Sequence, residues 1–415
     1  MARAEQQSAV EDESAIRTGG DDARVAVNSG HQLRILSVVS TIDLQEGVGC
    51  TPAWWQLHKA LHECGNELIV TPYLGDDVES PWWRTYENPC YWESRLYKEV
   101  SDRFNLTAGS DKGSTGIVKA LTNRWTKRKW HDHLNEIVRE ERPDVVLLFN
   151  IPLNQIGGLA TQLRDRYDVP VVYFDGDMPT ILPEHVESRG FRFNYYDGAD
   201  LAEYDALVTN SEGVHDRLRS MGAREVHSVH YAVDPGIYAP VDVDVKYDVS
   251  FFGSGAAFRE DHTRNMITGP ARRLDADFIV GGRGFDIDLG PVERAGWIPV
   301  NGFREFCNSA RINLNITREG HRTVYKSSTS RPFELAGMGC CVVSDPYEGL
   351  GEWFDIGEEM YVAETEDQAV ELYEWLLDSD EVRRETGRKA RERVLSDHTF
   401  HDRAQKLVDI LAQQR

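Results

Sequence analysis

The stretch "SRPFELAGMG" (330–339) puts a hydroxyl, a guanidinium, a proline and a carboxylate at the start of an apolar helix pattern. Ser330 is placed to cap that helix, and Pro332 is tolerated in a first turn, where its missing N–H has no helical partner anyway. Free backbone N–H groups and the helix dipole favour an anion at such a start, and Arg331 adds a fixed charge. Glu334 fits the same turn in two ways. The dipole alone favours a carboxylate there, and a carboxylate can also accept the two hydrogen bonds of a ribose diol. On the residues themselves both readings stay open.

Three further stretches carry chemistry of the same kind. In "FFGSGAAFRE" (251–260), Gly253, Ser254 and Gly255 follow an apolar strand pattern and admit a ligand close to the backbone. Arg259 follows, and its planar fork suits a diphosphate. The loop "NITREGHRTVYKSSTSRP" (315–332) concentrates Arg318, His321, Arg322, Lys326 and Arg331 among hydroxyls in an otherwise acidic chain, which points to a polyanion pocket. In the first half, "EGVGCTP" (46–52) offers Gly47 and Gly49 for close approach of a sugar. There too, "YFDGDMP" (173–179) ends a strand in Asp175 and Asp177. Those carboxylates could hold sugar hydroxyls or act as a base, and they equally suit a turn before Gly and Pro. No zinc motif, nucleophile elbow, P-loop or Cys/His metal cluster occurs, and "GGRG" (281–284) lacks the dinucleotide-binding spacing.

The elements that must position these residues alternate. "QLRILSVVS" (32–40) is a buried strand pattern, "AWWQLHKALHEC" a helix stopped at Gly65, and "ELIVTPY" the next strand. The unit recurs at "PDVVLLFN", "VPVVYFDGD", "YDALVTNS" and "EVHSVHYAVD", with helix patterns between. After a proline-bearing link a second series runs through "DVSFFGSG", "DADFIVGGRG", "INLNIT", "CCVVSD" and "EMYVAE". Near-continuous apolar strands separated by polar-faced helices predict an α/β protein of two doubly wound, Rossmann-like domains facing a cleft. The expected division is a disordered acidic leader (1–30), a first domain (31–238), a second (239–395) and a terminal helix (396–415) packing back on the first. The aromatic stretch 80–130 reads as an insertion or helical excursion.

Composition narrows the class. The formal net charge is −23 over 415 residues. That excludes a general nucleic-acid binder, which needs a basic face. The acidic, Lys-poor balance fits either a salt-adapted surface or ordinary acidic composition. The six cysteines show no framework spacing and read as free thiols, two of them, Cys340 and Cys341, inside a buried strand. No run is long and apolar enough to span a membrane, and the polar start lacks a signal-peptide pattern. A cytoplasmic protein is expected, with peripheral contact at the inner face of the membrane as an option.

The second half resembles a known family. "GFREFCNSARINLNIT", "TSRPFELAGMGCCVVSD" and "GLGEWFDIGEEMYVAETEDQAVELYEWLL" are similar to the donor domain of group 1-type glycosyltransferases, nearest the CgeB-like (spore-maturation-protein-like) branch. The closing pattern is Arg391 or Arg393, then His398, Thr399 and Arg403. The resemblance covers about 245–405 well and 32–235 more loosely. It implies the GT-B fold, a nucleotide-sugar donor (UDP- or GDP-linked) used as substrate without a cofactor, and a carbohydrate or glycoconjugate acceptor. By that resemblance Glu334 holds the ribose hydroxyls and Ser330–Arg331 face the diphosphate. Gly253 and Ser254 line the donor, and Arg259 with Lys326 or Arg318 neutralises the leaving nucleotide. A retaining, metal-independent course is implied; an inverting one needs a base, for which Asp177 or Asp175 is the candidate. Lys326 stands where many relatives carry the first carboxylate of E-x7-E, which is the argument for one alternative, a non-catalytic sugar-nucleotide-binding or structural protein of the same fold; a sugar-nucleotide epimerase, which shares the fold, is the other.

Overall fold

The computed structural model describes residues 32–40, 52–77, 79–93, 114–182, 184, 195–255, 259–285 and 287–415. The expected leader and the candidate sugar-side residues Gly47 and Gly49 lie outside them.

The first sheet has seven strands: β1 (Arg34–Val39), β2 (Glu67–Pro72), β3 (Arg84–Thr85), β4 (Val145–Phe149), β5 (Val171–Asp175), β6 (Ala206–Thr209) and β7 (Val226–Ser228). They lie in the order β3-β2-β1-β4-β5-β6-β7. The second sheet holds β8 (Tyr247–Ser254), β9 (Phe278–Arg283), β10 (Glu293–Gly296), β11 (Ala310–Asn315), β12 (Val342–Ser344) and β13 (Tyr361–Val362), ordered β10-β9-β8-β11-β12-β13. Neighbouring strands pair parallel throughout, for example Val38 beside Leu148 and Phe251 beside Val280. β4 to β6 are buried along their whole length because helices cover both faces, as all-parallel sheets require. In each sheet the strand order reverses once, between β1 and β4 and between β8 and β11. Ligands of doubly wound sheets bind at the carboxyl ends of such a pair.

The insertion read at 80–130 contains the two-residue strand β3 and the start of a long helix, Ser114–Glu141. That helix buries Trp130, Leu134, Ile137 and Val138, spaced four, three and one apart on one face. β10, "ERAG", is exposed and carries no apolar pattern, which is why periodicity does not find it.

The two domains meet along a seam of backbone. Ser211 and Ser327 form an antiparallel bridge. Gly213 N donates to Tyr325 O at 2.9 Å and Ser328 N to Asn210 O at 3.0 Å, while Asn210 Nδ2 donates to Ser328 O at 2.8 Å. The chain then crosses back. The helix Phe400–Ala412 is capped by Thr399, whose side chain accepts from Asp402 N. It buries Phe400, Leu407, Val408 and Leu411 in the core of the first domain, beside Leu57 and Leu61 of the helix Ala53–Glu63. Each such side chain contributes about 1.5–3 kcal/mol on burial. Arg403 fastens the crossing by donating from Nε to His230 O at 3.2 Å.

Candidate active site

The carboxyl ends of β8 and β11 are joined by one side chain. Arg259 donates from Nε to Ile316 O at 2.8 Å and from Nη1 to Ser254 O at 3.0 Å. Its guanidinium is buried at the switch point of the second sheet. Burial pushes its pKa down to about 9, and the nearby Arg318 and Arg331 push the same way against the raising effect of Asp345. Arg318 and Arg331 thus lie near enough to act on the charge of Arg259, and such a concentration of positive charge suits an anion.

Asp345 follows β12 and is wholly buried. It accepts from Thr317 N at 3.0 and 3.1 Å. Burial lifts its carboxyl to about 7 despite the pull of Thr317, Arg322 and Arg259. His262 Nδ1 stands 4.0 Å from Asp345 Oδ2. Sequence reasoning passed over Asp345 as the end of a strand, although an acidic residue closing an apolar run at a carboxyl edge is the signal that singled out Asp175.

The first domain supplies the opposite wall. Asp175 ends β5, is buried, and accepts from Tyr196 OH at 2.6 Å and from Asp177 N at 2.8 Å. Burial, then the neighbouring Asp177, lifts its carboxyl to about 7. The pKa of Asp177 is raised by burial and lowered by Arg318, so the charge of a second-domain guanidinium reaches this first-domain carboxylate. Asn150, at the end of β4 with φ +50°, holds the turn: its Oδ1 accepts from Gly176 N at 2.6 Å and its Nδ2 donates to Asp177 Oδ2 at 3.3 Å. Tyr231 OH donates to Gly176 O at 3.0 Å. Asn150, Tyr196 and Tyr231 carried no sequence motif; they come from three separate segments that only the fold brings together.

Four expectations need correction. Ser330 is not the cap of its helix; Thr329 precedes Ser330–Gly337 in extended conformation and makes no capping bond, so Ser330 is the first helical residue. Glu334 does not stand open at the helix start but is covered by Arg331. It is 1% exposed and pairs with Arg331, whose Nη1 lies 2.9 Å from Glu334 Oε2. That contact is an ion pair rather than a hydrogen bond, for neither Glu334 oxygen has a hydrogen-bond donor. Arg331 in turn rests over Phe303 and Phe252, 4.4 and 5.2 Å from the ring centres. Lys326 does not join the arginines. With φ +46° it turns toward Glu212 and Glu352, at 3.5 and 3.7 Å. The hydroxyl run before the helix serves the seam: Ser327 Oγ donates to Met178 O at 3.1 Å and so accepts from His321 Nδ1 at 2.8 Å, and Ser328 Oγ accepts from Tyr231 N at 2.9 Å.

Gly253 and Ser254 lie at the carboxyl edge of β8, where Gly282, at φ +121°, crosses so closely that a Cβ on it would stand 1.8 Å from Gly253 O. A groove of about 320 Å³ between Arg264, Thr268, Arg272, Asp288 and Glu366 shares no residue with this site, and its Arg272 already pairs with Asp288 at 2.9 Å. Among the described residues no cluster of three or more His, Cys, Asp or Glu side chains could hold a metal ion, and no helix is long and apolar enough to cross a membrane.

Residues 259–409 match the family model described as "Glycosyl transferase-like", which spans most of the second domain and the crossing helix. No curated protein gives a significant match to the chain. Solved structures cover nearly all of it. Sucrose-phosphate synthase from Thermosynechococcus elongatus superposes with a TM-score of 0.62 at 12% identity, over 92% of this chain and 98% of that one. HepE of Anabaena, solved in complex with UDP and glucose, gives 0.60 at 12% identity over 92% and 100%. The lipopolysaccharide outer core galactosyltransferase WaaB gives 0.54 at 11% identity over 92% and 99%. The fold is GT-B, and family match and fold together support a glycosyltransferase.

Proposed function

We propose that this protein transfers a sugar from a nucleoside diphosphate donor, uridine- or guanosine-linked, to a hydroxyl of a carbohydrate or glycoconjugate held against the first domain. The observation that carries the reading is Arg259, held between Ser254 O and Ile316 O at the switch point of the second sheet and within the electrostatic reach of Arg318 and Arg331, with Arg318 acting also on Asp177 of the first domain. When the bond from the sugar carbon to the diphosphate oxygen breaks, negative charge grows on that oxygen. Guanidiniums already fixed in a water-poor site stabilise it with no reorganisation. They take the part a metal ion plays elsewhere, so transfer proceeds without one. Glu334 meets the ribose once Arg331 turns from it to the phosphates; its two buried oxygens without a hydrogen-bond donor support that exchange.

The motif resemblance of residues 245–405 favours retention and the CgeB-like branch. Inversion is the second reading, favoured by Asp177: a carboxylate at the cleft with its proton affinity raised by burial can take the acceptor's proton as the new bond forms. Calorimetry with UDP, GDP and their sugar conjugates tests the donor site, and micromolar binding to one base is expected. Anomeric proton NMR of the product decides the course. Folded protein that binds none of these nucleotides would refute the reading. Isomerised donor in the absence of acceptor would indicate the epimerase instead.

A further inference from the structure

We propose that Asp345 is a positioning residue of the donor site: its carboxyl holds the peptide group that in turn holds Arg259. The inference rests on the donor-site reading above. The hydrogen bonds concerned lie at opposite ends of one peptide. Arg259 Nε donates to Ile316 O at 2.8 Å, and the N–H of that same peptide, Thr317 N, donates to the two Asp345 oxygens at 3.0 and 3.1 Å. A planar peptide cannot turn at one end without turning at the other. An acceptor on its N–H therefore fixes the direction of its carbonyl and, by polarising the group, makes that carbonyl a better acceptor for the guanidinium.

The carboxyl is itself clamped. Asp345 N donates to Asn315 O at 3.0 Å, and Ser344 Oγ donates to Asp345 O at 2.8 Å. Asn315 Nδ2 donates to Ser344 Oγ at 2.8 Å and to Thr317 Oγ1 at 3.2 Å. The ends of β11 and β12 are thus one buried network, and the Ile316–Thr317 peptide joins it to Arg259.

A carboxyl does here what an amide would not. Asn would accept from Thr317 N as well, and a buried carboxyl is the costlier choice. Its charge is adjustable. The groups that face it are Arg259, Arg322, His262 at 4.0 Å and the buried Tyr347 hydroxyl. A diphosphate arriving among those cations opposes an Asp345 carboxylate and favours the acid. The acid still accepts from Thr317 N through its carbonyl oxygen, so Arg259 stays in place while the charge that would repel the ligand is gone. In the free protein burial holds this carboxyl near 7, so above about that pH binding takes up a proton, and affinity falls as pH rises.

Calorimetry of UDP, GDP and pyrophosphate from about pH 6 to 9 with wild type, Asp345→Asn, Asp345→Ala and Arg259→Met tests this, with thermal melts to show that each variant is folded. At about pH 6 Asp345→Asn should bind within about twofold of wild type, and Asp345→Ala, which leaves Thr317 N without its acceptor, roughly tenfold more weakly. Above about pH 7 wild type should lose up to about tenfold per pH unit relative to Asp345→Asn, a comparison in which titration of the ligand and of His262 cancels. Should Asp345→Ala fail to fold, the pH profile of Asp345→Asn decides alone. Asp345→Ala that binds like wild type, while Arg259→Met does not, overturns the positioning role and leaves the donor site standing. Asp345→Asn that is as weak as Asp345→Ala, or that shares the wild-type pH profile, overturns it too. Wild type that binds neither nucleotide nor pyrophosphate overturns the donor site itself.

Discussion

Replacing Arg259 by Met should separate binding from stability. Methionine has nearly the volume of the arginine stem and no charge. Two effects on folding oppose each other. The charge-assisted hydrogen bonds to Ser254 O and Ile316 O are lost, at about 1.5–3 kcal/mol each. Against that, the guanidinium is held where its pKa falls from 12.5 to about 9, which at about 1.4 kcal/mol per factor of ten is a burden on the order of 5 kcal/mol on the charged form. The two nearly cancel, so the melting temperature of the free protein should move by only a few degrees. Binding has no such compensation. Loss of one charged hydrogen-bonding partner of a diphosphate costs about 1.5–3 kcal/mol, a ten- to hundredfold rise in Kd for UDP or GDP. Wild type at a hundred times Kd should gain about 2.7 kcal/mol from nucleotide, and the variant at the same concentration much less. Thermal unfolding with and without nucleotide, beside calorimetry, reads both quantities. A variant that unfolds far earlier but binds nucleotide as wild type would refute the reasoning and make Arg259 a structural tie between β8 and β11.

Asp175→Asn should gain on wild type as pH rises. The folded carboxyl sits near 7 against an ordinary 3.8, so the folded state holds the proton more tightly, and stability present at low pH is lost between about 4 and 7. The advantage of the variant in melts across that window should grow toward a ceiling of about 4 kcal/mol. Arg331→Met leaves the buried Glu334 carboxylate without its ion pair and should lower stability by about 3–5 kcal/mol in urea titrations. Lys326→Ala should bind nucleotide within about twofold of wild type by calorimetry, because its ammonium is engaged with Glu212 and Glu352; a loss like that of Arg259→Met would return it to the donor site. Gly213→Ala should loosen the domain seam, since a Cβ there would stand 2.7 Å from Val324 Cγ1 and 2.9 Å from Tyr325 N; faster hydrogen exchange at Gly213 and Ser328 checks this.

The strands that build both switch points are buried on both faces, so their apolar runs stand out in the sequence, and the two-sheet architecture follows from their alternation with helices. β3 and β10 do not stand out because they are short and exposed, and nothing in them alternates. Placement near the carboxyl edges of the sheets was legible where one residue type after a strand sufficed, as at Arg259, Arg318, Asp175 and Asp177. It was not legible where the outcome depends on which way a side chain turns. Lys326 and Arg331 lie five residues apart in one basic loop, yet a left-handed backbone at Lys326 sends the first to the domain seam and the second to Glu334. Burial of Glu334 likewise follows from how deeply its helix sinks between Phe303 and Trp353, a tertiary fact with no counterpart in spacing.

The crossing helix has a consequence for synthesis. The last strand of the first sheet ends at Ser228, but Phe400, Leu407, Val408 and Leu411, which complete that domain's core, are made some 170 residues later. At about 5–20 residues per second a ribosome needs roughly ten to thirty seconds to reach them. During that interval Leu57, Leu61 and their neighbours have no cover from this helix, while the second domain is already emerging. The domain made first is therefore the one finished last, and chaperones have that long to hold the uncovered face before the chain's own final turns arrive to close it.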